Sequence, residues 1–541
     1  MGLFDEILKV RGLVGNERDA FLNPSYDKKH DPFLLPDMQK AVDRLILARQ
    51  KNEKITIYGD YDIDGLTATT LLLDAFDSLG YGSVDAFIPS RFVEGYGMTI
   101  DAVERIAEAG SSLIVTVDCG SLSEKEIIRA GEVGVDVIVT DHHNVAAKQP
   151  PAVAVINPKR NDHEYPFIDL AGVGVAFKLV QALQTSMQGL DNGQEKWLLD
   201  LVALGTVCDV VSLTDENRAN VYWGLKVMQK TRRPGIRALM AVAGVEPKQV
   251  TSRTLGFALG PRLNASGRLE TAQVSLDLLT SKNGNEALEK ARRLDDLNRA
   301  RRAEQDEILK AAIEQAGKYI DDAVLVLAGE GWNHGVVGIV AAKIMEKFKK
   351  PTFVIGIEGE EAKGSARSYG DFSAADAIRF SEKAITKGGG HKLAAGVSLP
   401  TKNIDSFRKL VNQYYKEQRI ENQEVYLLTK EDAIASIDEV GEELVRKISA
   451  MEPFGNGNPE PVLKTSGLRV TSVRTMGVEG QHVKLELMGK SGTRIQMLAF
   501  GAPDHFFVDK DAVITAWYQP VINAWKGVSS VEGRLLRVEC E

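Results

Sequence analysis

Hydrophobic and polar positions along the chain change their period three times. From Ile55 to Ile156, short apolar runs at Ile55–Tyr58, Asp85–Ile88, Leu113–Asp118, Val135–Asp141 and Ala152–Ile156 alternate with helical periodicity at Leu66–Leu79, Ile100–Ala109 and Ser123–Ala130. Strands that alternate with helices predict a parallel sheet joined by right-handed crossovers. Helical patterning then continues to about Lys282 and includes LVALGTVCDVV, Leu201–Val211. A charge-laced helical stretch without proline, Glu286–Tyr319, separates this region from a second α/β unit. That unit opens at AVLVLAGEGW (Ala323–Trp332), continues through an apolar helix at Val336–Phe348 and a strand at Thr352–Ile357, and closes with KGGGHKLAAGVSL (Lys387–Leu399). From Val462 to the end, short alternating strands with glycine turns predict a small β-barrel.

The expected fold class is therefore α/β: a parallel-sheet domain over residues 51–282, a connecting helix over 283–320, and a smaller α/β domain over 321–420. A barrel follows over 421–541, and residues 1–50 form a helical lead-in with Phe33, Leu34, Leu35 and Met38 packing on the first domain. Trp517, Tyr518 and Trp525 fall in the barrel, as core side chains or as platforms for bases.

At 541 residues the chain exceeds what one core fills, which agrees with several domains. With 44% hydrophobic and 26% charged residues, the composition is that of a globular protein. A net charge of −9 excludes coating of nucleic acid by bulk charge but leaves room for a local basic groove. Cys119, Cys208 and Cys540 have no metal-knuckle spacing and give no disulfide framework. No apolar run approaches the ~20 residues of a membrane span. The first residues lack the features of a signal peptide, so a cytoplasmic location without membrane contact is expected.

The chemistry concentrates at strand ends. ITIYGDYDIDG (Ile55–Gly65) ends in Asp60, Asp62 and Asp64; alternation along an extended segment would bring them to one side, with Gly65 opening the next helix. LIVTVDCG carries Asp118 at its tip, and VIVTDHH carries Asp141, His142 and His143. Carboxyl ends of parallel strands share one crevice. Carboxylates gathered there repel unless cations sit among them, and imidazole beside carboxylate suits Mn2+ as well as Mg2+. Two such ions can serve a phosphoryl displacement, with Asp118 as the natural bridge. Asp209, in an apolar run, would be an unpaired buried carboxylate unless it joins them. His143 is suited to the scissile phosphate or to proton donation. Each aspartate alone is equally compatible with a helix cap or turn. Gly388, Gly389 and Gly390 offer backbone N–H donors in a nest-like turn, or else a plain hairpin. Ser365 and Arg367 suit a terminal phosphate. The arginines of the long helix (Arg292, Arg293, Arg299, Arg301, Arg302) read either as a solvated face or as one wall of a nucleic-acid groove.

DYDIDG, VDCG, TDHH and ALGTVCDVV, in that order, resemble the motifs of the DHH phosphoesterase superfamily, and KGGGHKLAAG resembles its accessory DHHA1 domain. GPRLNASGR (Gly260–Arg268), GSARS (Gly364–Ser368) and MEPFGNGNPEPVL (Met451–Leu463) narrow the resemblance to the superfamily's bacterial 5′→3′ exonucleases of single-stranded DNA. The resemblance covers nearly the whole chain. It implies two Mn2+ or Mg2+ ions on Asp62, Asp64, Asp118, His142 and Asp209, with His143 acting on the phosphate. Arg262, Asn264 and Arg268 would contact the DNA backbone, and His391 would face the cleft. Arg91, Ser365 and Arg367 would hold a terminal 5′ phosphate. Many relatives carry a histidine where this chain has Tyr58, so either Asp60 stands in as a ligand or one ion is held weakly. The implied partners are single-stranded DNA with a 5′ end, a helicase and a single-strand-binding protein, with the enzyme itself a monomer. Competing readings are a phosphodiesterase of short oligonucleotides or cyclic dinucleotides, a manganese pyrophosphatase, and an inactive replication scaffold. The barrel argues against the first, the GGGH domain against the second and the intact ligand set against the third.

Overall fold

The computed structural model describes residues 2–418, 430–477, 480–525 and 528–541, so the expected boundary at 420/421 lies outside the described residues. Strands β1 (Ile55–Tyr58), β2 (Val84–Phe87), β3 (Leu113–Val117), β4 (Asp136–Thr140) and β5 (Ala154–Ile156) form one sheet in the order β2-β1-β3-β4-β5. Every pairing in it is parallel. Alternate residues serve opposite faces. Ile55, Ile57, Val115 and Val117 pack beneath the large helical core, while Tyr58, Ile114, Val137 and Val139 belong to a smaller core on the other side. Both faces are therefore covered, which explains why the strands read as continuous apolar runs.

The second unit is a mixed sheet. Strands β6 (Leu325–Glu330), β7 (Thr352–Glu358), β8 (Glu361–Arg367), β9 (Lys387–Gly390) and β10 (Ala394–Pro400) run in the order β6-β7-β8-β10-β9. The β6–β7 pair is parallel and the others are antiparallel. A single helix, Gly284–Lys318, joins the two units, opened by Asn283 capping the N–H groups of Asn285 and Glu286.

The C-terminal unit contains β11 (Ala433–Ile434), β12 (Leu463–Met476), β13 (His482–Met488), β14 (Arg494–Ala499), β15 (Val513–Trp525) and β16 (Val528–Cys540). Their order is β11-β12-β13-β14-β16-β15, and β12 also pairs with β15, so five strands close into a barrel. Tyr518 is fully buried in its core. Trp517 is also buried, covered by Lys464 and Arg537 with its Nε1 donating to Glu431, so neither ring is available as a base platform. The side chain of Trp525 lies outside the described residues.

The lead-in departs from expectation in two ways. Leu35 and Met38 are buried in the first domain's core and Phe33 packs against it, but Leu34 is 36% exposed. A single 3₁₀ turn, Pro32–Leu34, rotates successive side chains by a third of a turn, so neighbours cannot share a face. The first helix, Leu3–Val10, belongs instead to the barrel's core through Ile7 and Leu8, and Arg11 pairs with Asp432 at 2.6 Å. The N-terminal segment thus straps the barrel to the first domain. Arg218 completes the strap by donating to the carbonyls of Phe21 and Glu452, at 2.9 and 3.1 Å.

Candidate metal centre

The site forms where β1, β3 and β4 end. After β1 the chain turns at Gly59–Tyr61 and enters the helix Ile63–Ser78, with Asp62 as N-cap accepting from the Gly65 N–H at 3.1 Å. Asp62 and Asp64 therefore converge through a helix start, not through strand alternation, and the helix opens two residues before Gly65. Gly65 is required by space: a Cβ there would lie 2.6 Å from the backbone of Asp60. Asp118 follows β3 in the left-handed region, φ 62°, a conformation that costs a non-glycine residue energy and is retained where the site demands it. Asp209 caps the C-terminus of the helix Leu199–Cys208.

His142 Nε2 is the hub. It stands 3.1 Å from Asp118 Oδ1, 3.6 Å from Asp209 Oδ2 and 3.8 Å from Asp64 Oδ2. Three overlapping sets of ligand atoms result, each within 4.8 Å: Asp64, His142 and Asp209; Asp118, His142 and His143; Asp60, Asp62 and Asp118. Asp118 belongs to two sets, as a carboxylate bridging adjacent ions would; His142 also falls in two, but its single Nε2 lone pair can serve one ion. Asp60 Oδ1, Asp118 Oδ1 and His142 Nε2 are buried without any hydrogen-bond partner. Buried polar atoms left unpaired are costly, and divalent cations bound by this oxygen-and-imidazole set would satisfy all three.

The electrostatics agree. Burial, then the neighbouring carboxylates, push Asp60, Asp64 and Asp118 well above the usual carboxylate range. Burial and the Asp62 charge raise Asp209 to about 7. Burial and the adjacent His143 hold His142 down to about 3, so it presents the neutral imidazole a metal needs. Asp141 behaves differently because it faces donors. Its Oδ1 accepts from the N–H groups of His142 (2.7 Å) and His143 (3.0 Å) and lies 2.9 Å from His143 Nδ1, while Oδ2 accepts from Ser121. These bonds outweigh its burial and keep it well below the usual range. Asp141 therefore fixes the two-histidine turn and orients His143.

Tyr58 points away from the ligands: its hydroxyl donates to the Gly97 carbonyl at 3.0 Å within the smaller core. Asp60 is the carboxylate that reaches Asp62 and Asp118 in its place. His391, on the second unit, lies 3.4 Å from Asn144, the residue after the histidine pair, and so closes the cleft from the far side. Gly388–Gly390 form the exposed edge strand β9 paired with β10, not a nest-like turn, because the register of Gly390 opposite Ala395 extends them. Arg91 stacks on Tyr61, 4.2 Å from the ring centroid, and Arg367 donates to Ser365 Oγ at 3.0 Å. Both guanidinium charges act on Arg268, which joins the two domains by donating to the Gly335 carbonyl at 2.8 Å. Asn264 and Arg268 line a cavity beside the site, whereas Arg262 is held internally by Asp295 at 2.9 Å.

Family comparisons match each unit in turn: the DHH family N-terminal domain over residues 54–206, the DHHA1 domain over 321–417 and the RecJ OB domain over 431–536. The chain is 32% identical over 555 residues to the single-stranded-DNA-specific exonuclease RecJ of Haemophilus influenzae, covering 98% of this chain and 95% of that one. This chain belongs to the RecJ family. It is also 37% identical to the Bacillus subtilis RecJ over 493 residues, 90% of this chain but 62% of the longer relative. The Thermus thermophilus RecJ crystal structure with Mn2+ superposes with a TM-score of 0.83 at 28% identity, covering 99% of this chain and 75% of that one. A second structure of that RecJ, with Mg2+, gives 0.76 at 26% identity over 99% and 74%. Both ions named in those structures suit the donor set described above.

Sequence reasoning missed three residues of the site, Gly172, Val173 and Tyr96. The N–H groups of Gly172 and Val173 donate to the two oxygens of Asp64 at 2.5 and 2.8 Å, placing a helix N-terminus behind that carboxylate. The AGVGV run was the available signal. Tyr96 lies 2.9 Å from His143 Nδ1, from a loop whose pattern carried no period.

Proposed function

We propose that this protein is a divalent-metal-dependent exonuclease that degrades single-stranded DNA from the 5′ end to mononucleotides in DNA repair and recombination. The observation that carries the reading is the convergence of partnerless, buried ligand atoms beneath a docked barrel. The barrel's loop donates from Asn456 Nδ2 to the carbonyl of Val210, the residue after Asp209, at 3.0 Å, and accepts from the Leu213 N–H at 2.7 Å. A phosphodiesterase of short oligonucleotides has no use for such a barrel.

In this reading Asp62, Asp64, Asp118, His142 and Asp209 hold the ions, with Asp60 in the position vacated by Tyr58. Two bound ions supply an activated water and positive charge on the oxygens of an in-line displacement. His143, held by Asp141, contacts the scissile phosphate or gives a proton to the departing 3′ oxygen. His391 approaches the same phosphate from the second domain, beside the exposed edge strand that carries Gly388, Gly389 and Gly390. Arg91, Ser365 and Arg367 hold the terminal 5′ phosphate, so the first internal linkage meets the ions. Cleavage of the bond to the 3′ oxygen leaves a 5′ phosphate on the shortened strand, which re-enters the same pocket. Asn264 and Arg268 hold the backbone beyond it.

All the ligands come from one chain, which supports a monomer as the active unit. A cleft that accepts one strand needs a helicase to supply it, and a protein that coats single strands is the natural competitor or escort. The substrate implies a cytoplasmic enzyme; among the described residues no helix is long and apolar enough to cross a membrane. Purified protein with Mn2+ should release mononucleotides from 5′-labelled single strands and spare blunt duplex. Equal degradation of duplex, or release beginning at the 3′ end, would overturn the reading.

A further inference from the structure

We propose that Asn456, in the barrel unit, is a positioning residue for Asp209: its side chain holds the turn that aims that carboxylate, so the docked barrel completes the metal centre. The inference rests on the exonuclease reading, which takes Asp209 as a ligand, and deepens it by giving the barrel a part in the chemistry.

Asp209 differs from Asp62 and Asp64 in how it is held. The Gly65 N–H donates to Asp62, and the N–H groups of Gly172 and Val173 donate to Asp64. Among the described residues no hydrogen bond reaches the Asp209 carboxylate, whose Oδ2 lies 3.6 Å from His142 Nε2. Its aim is therefore set by the backbone where the helix Leu199–Cys208 ends. That backbone is strained. Val210, the next residue, sits in the left-handed region at φ 62°. A β-branched residue rarely adopts that conformation, which persists only where the surroundings impose it. The Val210 side chain imposes nothing, being 65% exposed, and its N–H bond to the Val207 carbonyl is long, at 3.3 Å.

What imposes the turn comes from the far end of the chain. Asn456 Nδ2 donates to the Val210 carbonyl at 3.0 Å, and the Asn456 main-chain carbonyl accepts from the Leu213 N–H at 2.7 Å, so one residue grips both ends of the segment. The grip is itself braced. Gly455 and Asn458 exchange backbone bonds at 2.9 and 3.2 Å, and the buried Asn458 donates from Nδ2 to the carbonyls of Met451 and Pro453 at 2.9 and 2.8 Å. Ser252 Oγ donates to the Phe454 carbonyl at 2.6 Å. The two segments also meet closely: a Cβ at Gly457 would lie 2.5 Å from Ser212 Oγ. A strained turn clamped beside a ligand fixes that ligand before any ion arrives, and bonds of this kind, made outside the ligand set, govern metal affinity. Asn456 thus does for Asp209 what the Gly172 N–H does for Asp64.

The test is a calorimetric Mn2+ titration of the full chain, with thermal unfolding measured alongside. Asp209→Asn identifies the binding event that depends on Asp209. Asn456→Ala keeps the main-chain carbonyl, and with it the Leu213 bond, and should weaken that same event by roughly tenfold. Adding Val210→Gly should restore most of the lost affinity, because glycine adopts φ 62° without strain and needs no clamp. Unchanged Mn2+ binding in Asn456→Ala, whatever its Tm, would mean that Asn456 only fastens the barrel. A loss that Val210→Gly does not restore would mean that the barrel reaches the centre by another route. Either result overturns the inference. A wild-type protein that binds no Mn2+, or an Asp209→Asn variant that keeps every binding event, would instead overturn the metal-dependent reading on which it rests.

Discussion

Gly172→Ala isolates the geometry of the metal centre from its chemistry, because it adds one methyl group and removes no ligand. A Cβ at residue 172 would lie 2.7 Å from Asp118 Cβ, 2.8 Å from Oδ1 and 2.9 Å from Cγ. Neither backbone can retreat freely: the Asp118 N–H is bonded to the Thr140 carbonyl at 3.0 Å, and the Gly172 N–H to Asp64 at 2.5 Å. The carboxylate of Asp118 must therefore move. Overpacking of this kind costs ~1–3 kcal/mol, offset by ~0.5–1 kcal/mol from replacing glycine in a helix, so the fold should survive with a modest loss of Tm. The site should suffer far more. Misplacing a ligand shared by two sets lowers metal affinity by roughly 10–100-fold, and a shift approaching 1 Å lowers the rate by about a hundredfold. Gly174→Ala is the internal control, since its Cβ would meet only the Leu170 side chain at 3.4–3.9 Å in the same helix. Calorimetric Mn2+ titration beside single-turnover cleavage reads both quantities. If Gly172→Ala binds manganese and cleaves like Gly174→Ala, Asp118 does not hold the position assigned to it.

Further outcomes follow from the same structure. Arg367→Ala should cost roughly tenfold or more on a 5′-phosphorylated strand and little on a 5′-hydroxyl strand; equal losses would make it a general backbone contact. His391→Ala should slow single-turnover cleavage more than it weakens DNA binding, and the reverse result would reduce the GGGH strand to a tether. Without metal, the raised carboxylates (Asp209 at about 7, against an ordinary 3.8) bind protons more tightly folded than unfolded, so stability falls as pH rises through that window. Manganese removes the repulsion, so its effect on Tm in differential scanning fluorimetry should be larger at pH 8 than at pH 6; a shift independent of pH would separate the carboxylates from the ions.

The strand tips were legible because their signal is local. β1, β3 and β4 are apolar runs that stop at Asp or His, and parallel topology brings such ends together without further information. What brings Asp62 and Asp64 together was not legible: a helix start and an extended tip place aspartates at the same spacing, and only the backbone distinguishes them. The bonds from Gly172 and Val173 to Asp64 span more than a hundred positions, and a glycine run alone does not say which carboxylate it approaches. The N-terminal strap was hidden for the same reason. Ile7 and Leu8 carry an amphipathic pattern that fits any apolar face, and their partner is the barrel at the other end of the chain.

The central claim is that ions gathered around Asp118 perform the cleavage, and Asp118→Ala tests it most directly. Single-turnover degradation of a 5′-phosphorylated single strand at saturating Mn2+, compared with wild type, should fall by at least roughly a thousandfold. DNA affinity and the cooperative unfolding transition should be retained, because losing one of several crowded carboxylates relieves repulsion in the folded protein. Near-normal turnover in the manganese-saturated variant would contradict the account.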